Sequence, residues 1–275
     1  MFKPVSFLGK IFKAYLLFPS HPAKIRMETM AGRFLFPSGI RIKNTDGVMF
    51  RLDANDWITR TLIEQGNYEG TSLALAKKIL QQGGIFVDVG TNFGLYTCML
   101  AQQHKQVQVY SIEPNYQVLG RLIANVRLNK IEEQVHIFNA AVTDKFQVVF
   151  LDLPAANNLG STVASADNNG GMAVLSCSLE YIAAVNNILK INLIKIDIEG
   201  NEFVVLEKFP FEKIVVQNII LEFNFLSKIS FEQLQFFFDE RGFDIFTVEG
   251  KPIIDDKNGI PENNIWIVNR LINKK

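Results

Sequence analysis

The stretch GGIFVDVGTNFG, residues 83–94, decides the fold. Ile85 to Val89 is a short apolar run that reads as a buried strand, and it carries Asp88 to its carboxyl end. Gly90 permits the tight turn that follows. Gly94 lets the next helix, expected over Phe93 to Gln102, approach the sheet without a side-chain clash. Open α/β sheets hold ligands above the carboxyl ends of their strands, so this turn belongs to a pocket rim. A dinucleotide-binding turn would read GxGxxG, whereas Gly90-Thr91-Asn92-Phe93-Gly94 has a GxxxG spacing. It lacks the glycine that brings backbone amides onto a pyrophosphate.

Working outward, apolar strands alternate with helical stretches. Val107 to Ile112 and Gln134 to Asn139 read as the next strands, with a helix over Tyr116 to Leu128 between them. Phe146 to Leu151 is a further short strand. The stretch Asp152 to Gly171, rich in Asn, Gly, Ala and Ser, carries no periodicity and reads as a ligand-facing loop. A helix is expected from about Ser178, a strand at Ile191 to Ile196, and a helix over Asn201 to Lys208. Ile214 to Phe223 is a core strand and Phe231 to Asp239 a helix. Phe243 to Val248 and Asn264 to Val268 are expected to pair antiparallel. The whole pattern implies an α/β domain with a mostly parallel sheet and one reversed edge strand.

Upstream, residues 1–60 read as an extension and 61–275 as the main domain. Gly39 to Leu52 suggests two strands around an Asn-Thr-Asp-Gly turn. Asp56 to Gln65 suggests a short helix with Asp56 at its cap and Trp57 on an apolar side. Thr71 to Gln82 is an amphipathic helix stopped by Gly83-Gly84. Residues 1–33 carry Lys3, Lys10, Lys13, Lys24, Arg26 and Arg33 against Glu28 alone, interleaved with apolar side chains. Such a segment suits an anionic membrane surface, a cap on its own domain, or a second subunit in a homodimer. Peripheral membrane contact is the less favoured of these. A cleaved signal peptide is not expected, because Lys10 and Lys13 interrupt the apolar region.

Bulk properties narrow the function. The 28 basic and 28 acidic residues cancel, which argues against a nucleic-acid partner. Cys98 and Cys177 read as reduced core thiols of a cytoplasmic protein. His21, His104 and His136 have no metal-ligand spacing, so no metal is expected. No stretch reaches the roughly 20 apolar residues that span a bilayer.

Charge at the strand ends points to a ligand. Asp88 opposes a doubly charged phosphate, whereas an amine and a sulfonium on one ligand suit it. The second strand ends in Glu113-Pro114-Asn115, 23 residues beyond Gly90. A carboxylate there can accept both ribose hydroxyls of an adenosine-containing ligand, although Glu113 alone would pass for an ordinary helix start. Small residues at Ala140-Ala141-Val142 leave room for a flat adenine ring, with Asn139 or a nearby amide to read it.

INLIKIDIEGNE, residues 191–202, is the second dense constellation. Three carboxylates, Asp197, Glu199 and Glu202, cannot all be buried cheaply together. Asp197 is the first choice for contact with the reacting groups, and Glu199 for the acceptor side. Glu199 and Glu202 also read as acids stabilised at a helix start. Lys195 reads either as a catalytic group or as an ion-pair partner. Glu222 points at the same sheet edge.

With these residues in view, the chain resembles the FkbM family of methyltransferases, within the Rossmann-like enzymes that use S-adenosylmethionine. The quoted elements are Asn67-Tyr68-Glu69, FVDVGTNFG (86–94), SIEPN (111–115), NVRLN (125–129), AAVTD (140–144), LIKIDIEGNE (193–202) and LEFN (221–224). The resemblance covers roughly residues 55–270. It implies a seven-stranded sheet with helices on both faces. It places the cofactor at Glu69, Asp88, Gly90, Thr91, Asn92, Gly94, Glu113, Pro114, Asn139, Ala140 and Asp197. The catalytic candidates, Asp197, Glu199 and Lys195, come from the strand-end acids and not from the family pattern. Ser161, Thr162, Glu222 and Asn224 would meet the acceptor. Family members commonly methylate hydroxyls of sugars, lipid-linked glycans or polyketide-type products, which makes O-methylation the leading expectation and N-methylation the runner-up. A nicotinamide-dependent oxidoreductase and an inactive scaffold are the readings from other classes.

Overall fold

A computed structural model describes residues 1–21, 23–152, 163–165, 171–224, 227, 229–253 and 263–273. Its centre is a seven-stranded sheet: β1 Gly84–Val89, β2 Val107–Ile112, β3 Val135–Phe138, β4 Leu193–Ile196, β5 Asn218–Glu222, β6 Phe243–Thr247 and β7 Asn264–Asn269. The strand order is β6-β7-β5-β4-β1-β2-β3. Every strand runs parallel to its neighbours except β7, which lies antiparallel between β5 and β6. Consecutive β1 and β2 are neighbours, while β4 joins β1 on its other side. The chain therefore reverses its direction of travel across the sheet beside β1, and that opens a crevice at the strand ends.

Alternation along the strands builds two cores. Phe86, Val107, Val109 and Leu193 pack on one face beneath helices Leu95–Gln103 and Tyr116–Asn129. Val87, Ile112, Ile194, Ile196, Ile219 and Ile267 pack on the other, beneath Leu179–Val185 and Phe231–Asp239. Two helix starts fall as expected, Asp56 accepting from Ile58 and Thr59 and Ser178 from Tyr181, and the structure adds two more: Asn115 accepts from Gln117, and Ser230 forms a reciprocal box with Gln233. Each satisfies helix-start amides that have no intrahelical partner.

The extension is built into the first core. Strand Lys3–Pro4 pairs with Ile40–Lys43, which pairs with Met49–Leu52. Phe2, Phe12 and Leu16 are buried in the same cluster as Phe86 and Val107. The hairpin's outer edge would leave backbone groups unpaired. Asn125 and Asn129 close it: their side chains accept from the Arg51 and Met49 amides at 2.8 and 2.9 Å, and Asn129 donates to the Met49 carbonyl at 2.7 Å. The two asparagines of NVRLN thus hold the extension onto the main domain.

Several elements differ from expectation. The helix expected at 71–82 is Gly70–Ile79, and that expected from Phe93 starts at Leu95 because Gly94 is left-handed. Trp57 does not sit on an apolar side; it is 58% exposed, edge-on to Tyr68. A second sheet stands apart from the first, with Met172–Cys177 between Gln147–Asp152 and Ala141–Val142, and Val163–Ser165 on its edge. Met172–Cys177 and Val163–Ser165 were not foreseen as strands; tertiary pairing to the strand at 147–152 overrides an unpromising local composition.

Candidate active site

The β1 turn is fixed by close approach. Gly90 has φ +78°, and a Cβ there would stand 1.8 Å from the Asp197 carbonyl oxygen, so no side chain fits. Gly94 has φ +88°, and its missing Cβ makes room for Leu122. Asn92, between them, is also left-handed at φ 54°, a conformation Asn tolerates better than most residues. Because β1 and β4 run side by side, this turn meets the Asp197 turn directly.

Register then brings the polar residues together. Ser111, Asp88 and Lys195 form one row across β2, β1 and β4 as direct Cα partners. Thr97, on the helix above, donates to Asp88 Oδ2 at 2.7 Å and shares a hydrogen bond of 2.7 Å with Ser111. Burial pushes the Asp88 carboxyl up, against the pull of Lys195 and the threonine hydroxyls.

Glu113 is held from both sides. Its Oε2 accepts from the Asn92 amide and its Oε1 from the Asn115 amide, each at 2.8 Å. Burial pushes its carboxyl up to about 7 even so. Each oxygen keeps a further lone pair for a hydroxyl donor.

Lys195 organises the other wall. Its ammonium lies 2.7 Å from Asp197 Oδ2, 3.8 Å from Glu69 Oε2 and 4.9 Å from the centre of the Tyr96 ring. Tyr96 donates its hydroxyl to Glu69 Oε2 at 2.8 Å. Burial opposes the lysine charge, yet Asp197, Glu69 and Asp88 outweigh it and hold Lys195 protonated. Burial likewise opposes charge on Asp197, but Lys195 and a hydrogen bond with Glu222 bring its carboxyl below the ordinary range. Glu222 goes the other way: burial first, then Asp197, push it up to about 9. At neutral pH it is the protonated member of an acid–carboxylate pair. Its Oε2 is buried without a hydrogen-bond partner among the described residues.

The ionisable groups of both walls face one cavity. Its wall includes Glu69, Asp88, Gly90, Thr91, Asn92, Glu113, Pro114, Ala140, Lys195, Asp197, Glu199 and Glu222. Asp88 and Glu113 thus open into a single cleft. Gly94, Asn139 and Asn224 stand outside the wall. The Asn139 amide donates to the carbonyls of Glu113 and Pro114 and pins the loop instead, while the Asn224 amide N–H donates to Ser227. Ser161 and Thr162 lie outside the described residues. Glu202 accepts from the Ile198 and Gly200 amides, which shapes the Asp197 turn.

The wall also holds residues that the sequence reading missed: Tyr96, Trp57, Ile58, Phe93 and Asn201. Asn201 donates weakly to the carbonyl of Ala164, and so ties the edge strand of the small sheet to the Asp197 turn. Tyr96 was findable in principle, since it lies two residues beyond Gly94 at the start of the helix that caps β1.

The methyltransferase FkbM domain matches residues 88–245, more than half of the chain. The chain belongs to this family of methyltransferases, and S-adenosylmethionine is its methyl donor. No curated protein matches the chain in sequence. Among solved structures it is similar to M. capricolum TrmK in complex with S-adenosyl-homocysteine, at 16% identity over 71% of this chain and 65% of that one, TM-score 0.43. It therefore spans just under two thirds of TrmK. A putative O-methyltransferase from Klebsiella pneumoniae is similar at 12% identity over 94% of each chain, TM-score 0.44. An rRNA methylase from Streptococcus thermophilus is similar at 13% identity over 73% of this chain and 94% of that one, TM-score 0.42. That last likeness corrects the expectation of no nucleic-acid partner: a neutral net charge does not separate this chain from proteins of that kind.

The wall fits the donor's chemistry. Six carboxyl groups and one ammonium line it, an excess of acceptors suited to an amine, a sulfonium and a pair of ribose hydroxyls. No helix among the described residues is long and apolar enough to cross a membrane.

Proposed function

We infer that this enzyme methylates a hydroxyl oxygen, on a sugar, glycan, lipid-linked or polyketide-type acceptor. One observation carries the reading: an ionised carboxylate, Asp197, held beside a protonated one, Glu222, on the cavity wall next to the donor-binding turn. When bound, the donor supplies an electrophilic methyl group. Glu113 would take the ribose hydroxyls, and Glu69 and Asp88 would face the positive groups, with Pro114 and Ala140 against the adenine. Asp197 accepts a hydrogen bond from the acceptor hydroxyl and so aims its lone pair. As the oxygen gains its new bond it turns acidic, and even a carboxylate of lowered basicity can then take its proton. Lys195 fixes Asp197 at 2.7 Å and keeps it anionic until that point. Glu199 stands at the acceptor side of the same turn. The buried, unpaired thiols Cys98 and Cys177 suit a cytoplasmic setting.

The test is transfer of labelled methyl from the donor to panels of hydroxyl-bearing, amine-bearing and RNA acceptors. Product in which the label sits on oxygen supports the reading. Label carried on nitrogen, and abolished in Asp197→Asn, would replace it with N-methylation.

A further inference from the structure

The extension buries one side of its two helices and leaves the other bare. In helix Phe7–Leu16, Gly9, Phe12 and Leu16 face the core, while Phe7 (77% exposed), Leu8 and Ile11 face outward. In helix Lys24–Leu35, Glu28 and Gly32 face inward, while Ile25 (75%), Met27, Met30 and Phe34 (73%) face outward. Of the 24 large hydrophobic side chains exposed among the described residues, 12 lie between Met1 and Leu35. Scattered apolar exposure is normal, but concentration of this kind marks a docking surface.

Charge says what docks there. Residues 1–45 contain eight basic side chains and one acid, Glu28, on a chain whose net charge is zero. Glu28 is buried, with Arg60 at 3.2 Å and Lys24 at 3.6 Å. Lys24 is also spoken for, since its ammonium donates to the carbonyls of Leu16 and Phe18 at 2.8 and 2.6 Å and locks the turn between the helices. Lys3, Lys10, Arg26 and Arg33 are left exposed around the apolar side chains. The outward groups are aliphatic, phenyl and thioether, with no carboxylate among them. A protein partner would meet few hydrogen-bonding groups there. A nucleic acid would find phosphate contacts but mostly aliphatic side chains where bases would stack. A bilayer bearing anionic lipid satisfies both features, taking the apolar side chains into the acyl boundary and the cations at the headgroups.

We propose that the outward face of helices Phe7–Leu16 and Lys24–Leu35 is an interfacial docking surface for an anionic membrane. It seats the enzyme on the bilayer without crossing it, and the proposal stands independently of the acceptor's identity. The helix Trp57–Gln65 packs beside Phe7–Leu16, and its Trp57 lines the catalytic cavity at the surface.

The experiment is co-sedimentation of the full chain with vesicles of phosphatidylcholine alone and of phosphatidylcholine with phosphatidylglycerol, in low and high salt. Binding is expected to vesicles containing phosphatidylglycerol and to weaken with salt. The double variant Phe7→Asp/Phe34→Asp should lose vesicle binding while keeping its donor affinity, which reports that the fold is intact. Lys10→Glu and Arg26→Glu should each weaken binding about fivefold or more, the scale of one basic contact at such a surface. Absence of binding to anionic vesicles in low salt would overturn the proposal. So would a dimer, seen by light scattering, that Phe7→Asp/Phe34→Asp dissolves without any vesicle binding by the parent. RNA binding that falls with Lys10→Glu but survives the phenylalanine changes would overturn it equally.

Discussion

The two walls of the cavity use carboxylates in opposite ways. On the β1–β2 side, Asp88 and Glu113 are each fixed by hydrogen-bond donors of the chain itself, Thr97 for one and the Asn92 and Asn115 amides for the other. On the β4–β5 side, Lys195 keeps Asp197 ionised, while burial and the charge of Asp197 hold Glu222 in the protonated state. The first wall is preorganised to bind. The second is electrostatically coupled, so its members respond to one another, and this is the behaviour expected where protons move.

That contrast is open to attack. If Asp197 serves the chemistry and not the donor, Asp197→Asn should lower turnover by about 10²–10⁴-fold while donor affinity in calorimetry changes little. A parallel fall in both would merge the two walls into one binding site. Lys195 is 5% exposed in its side chain, and Lys195→Met strands three acids around a vacated charge. Loss of about 3–5 kcal/mol in urea unfolding is expected, and a change below about 1 kcal/mol would mean the acids are not coupled through it.

On the binding wall, Glu113→Ala should weaken donor affinity by about 10–100-fold, the scale of hydrogen bonds to a charged acceptor, with turnover at saturation largely kept. Protonation of Glu113 removes the same acceptor, so parent affinity should fall as pH drops through about 7; a flat profile between pH 6 and 8 would reject that role. The smallest effect concerns Glu222. Its folded value near 9 lies above its ordinary 4.5, so the stability it contributes is full below the ordinary value and lost as pH rises toward the folded one. Glu222→Gln keeps the neutral form throughout. Its melting temperature at pH 8 should exceed the parent's, by roughly 2–4 °C for each kcal/mol relieved, and the difference should vanish near pH 4.

Much of this was legible in the chain before any coordinates. Short apolar runs of strand length predict the seven strands, Asp56 and Ser178 predict two helix starts, and strand-end acids mark the cleft, because parallel sheets collect such residues at one edge. The row Ser111–Asp88–Lys195 was not legible, since it needs the register of three strands separated by 20 to over 100 residues. Trp57 escaped for a related reason: nothing local distinguishes an aromatic ring on a cavity wall from one in a core. The opposite protonation states of Asp197 and Glu222 depend on an adjacency between β4 and β5 that spacing alone does not encode. Asn139 gains a task that no local pattern shows, since its side-chain N–H groups hold the Glu113–Pro114 loop.

Phe2 rests its ring against Phe50 and donates its backbone N–H to Gly66, and the cluster it joins closes with Val107 and Leu193. In sequence order, Phe2 therefore waits for partners that lie much later in the chain. A chain shortened to begin at the hairpin would be an unfinished fold, with Phe50 and Ile40 laid open to water.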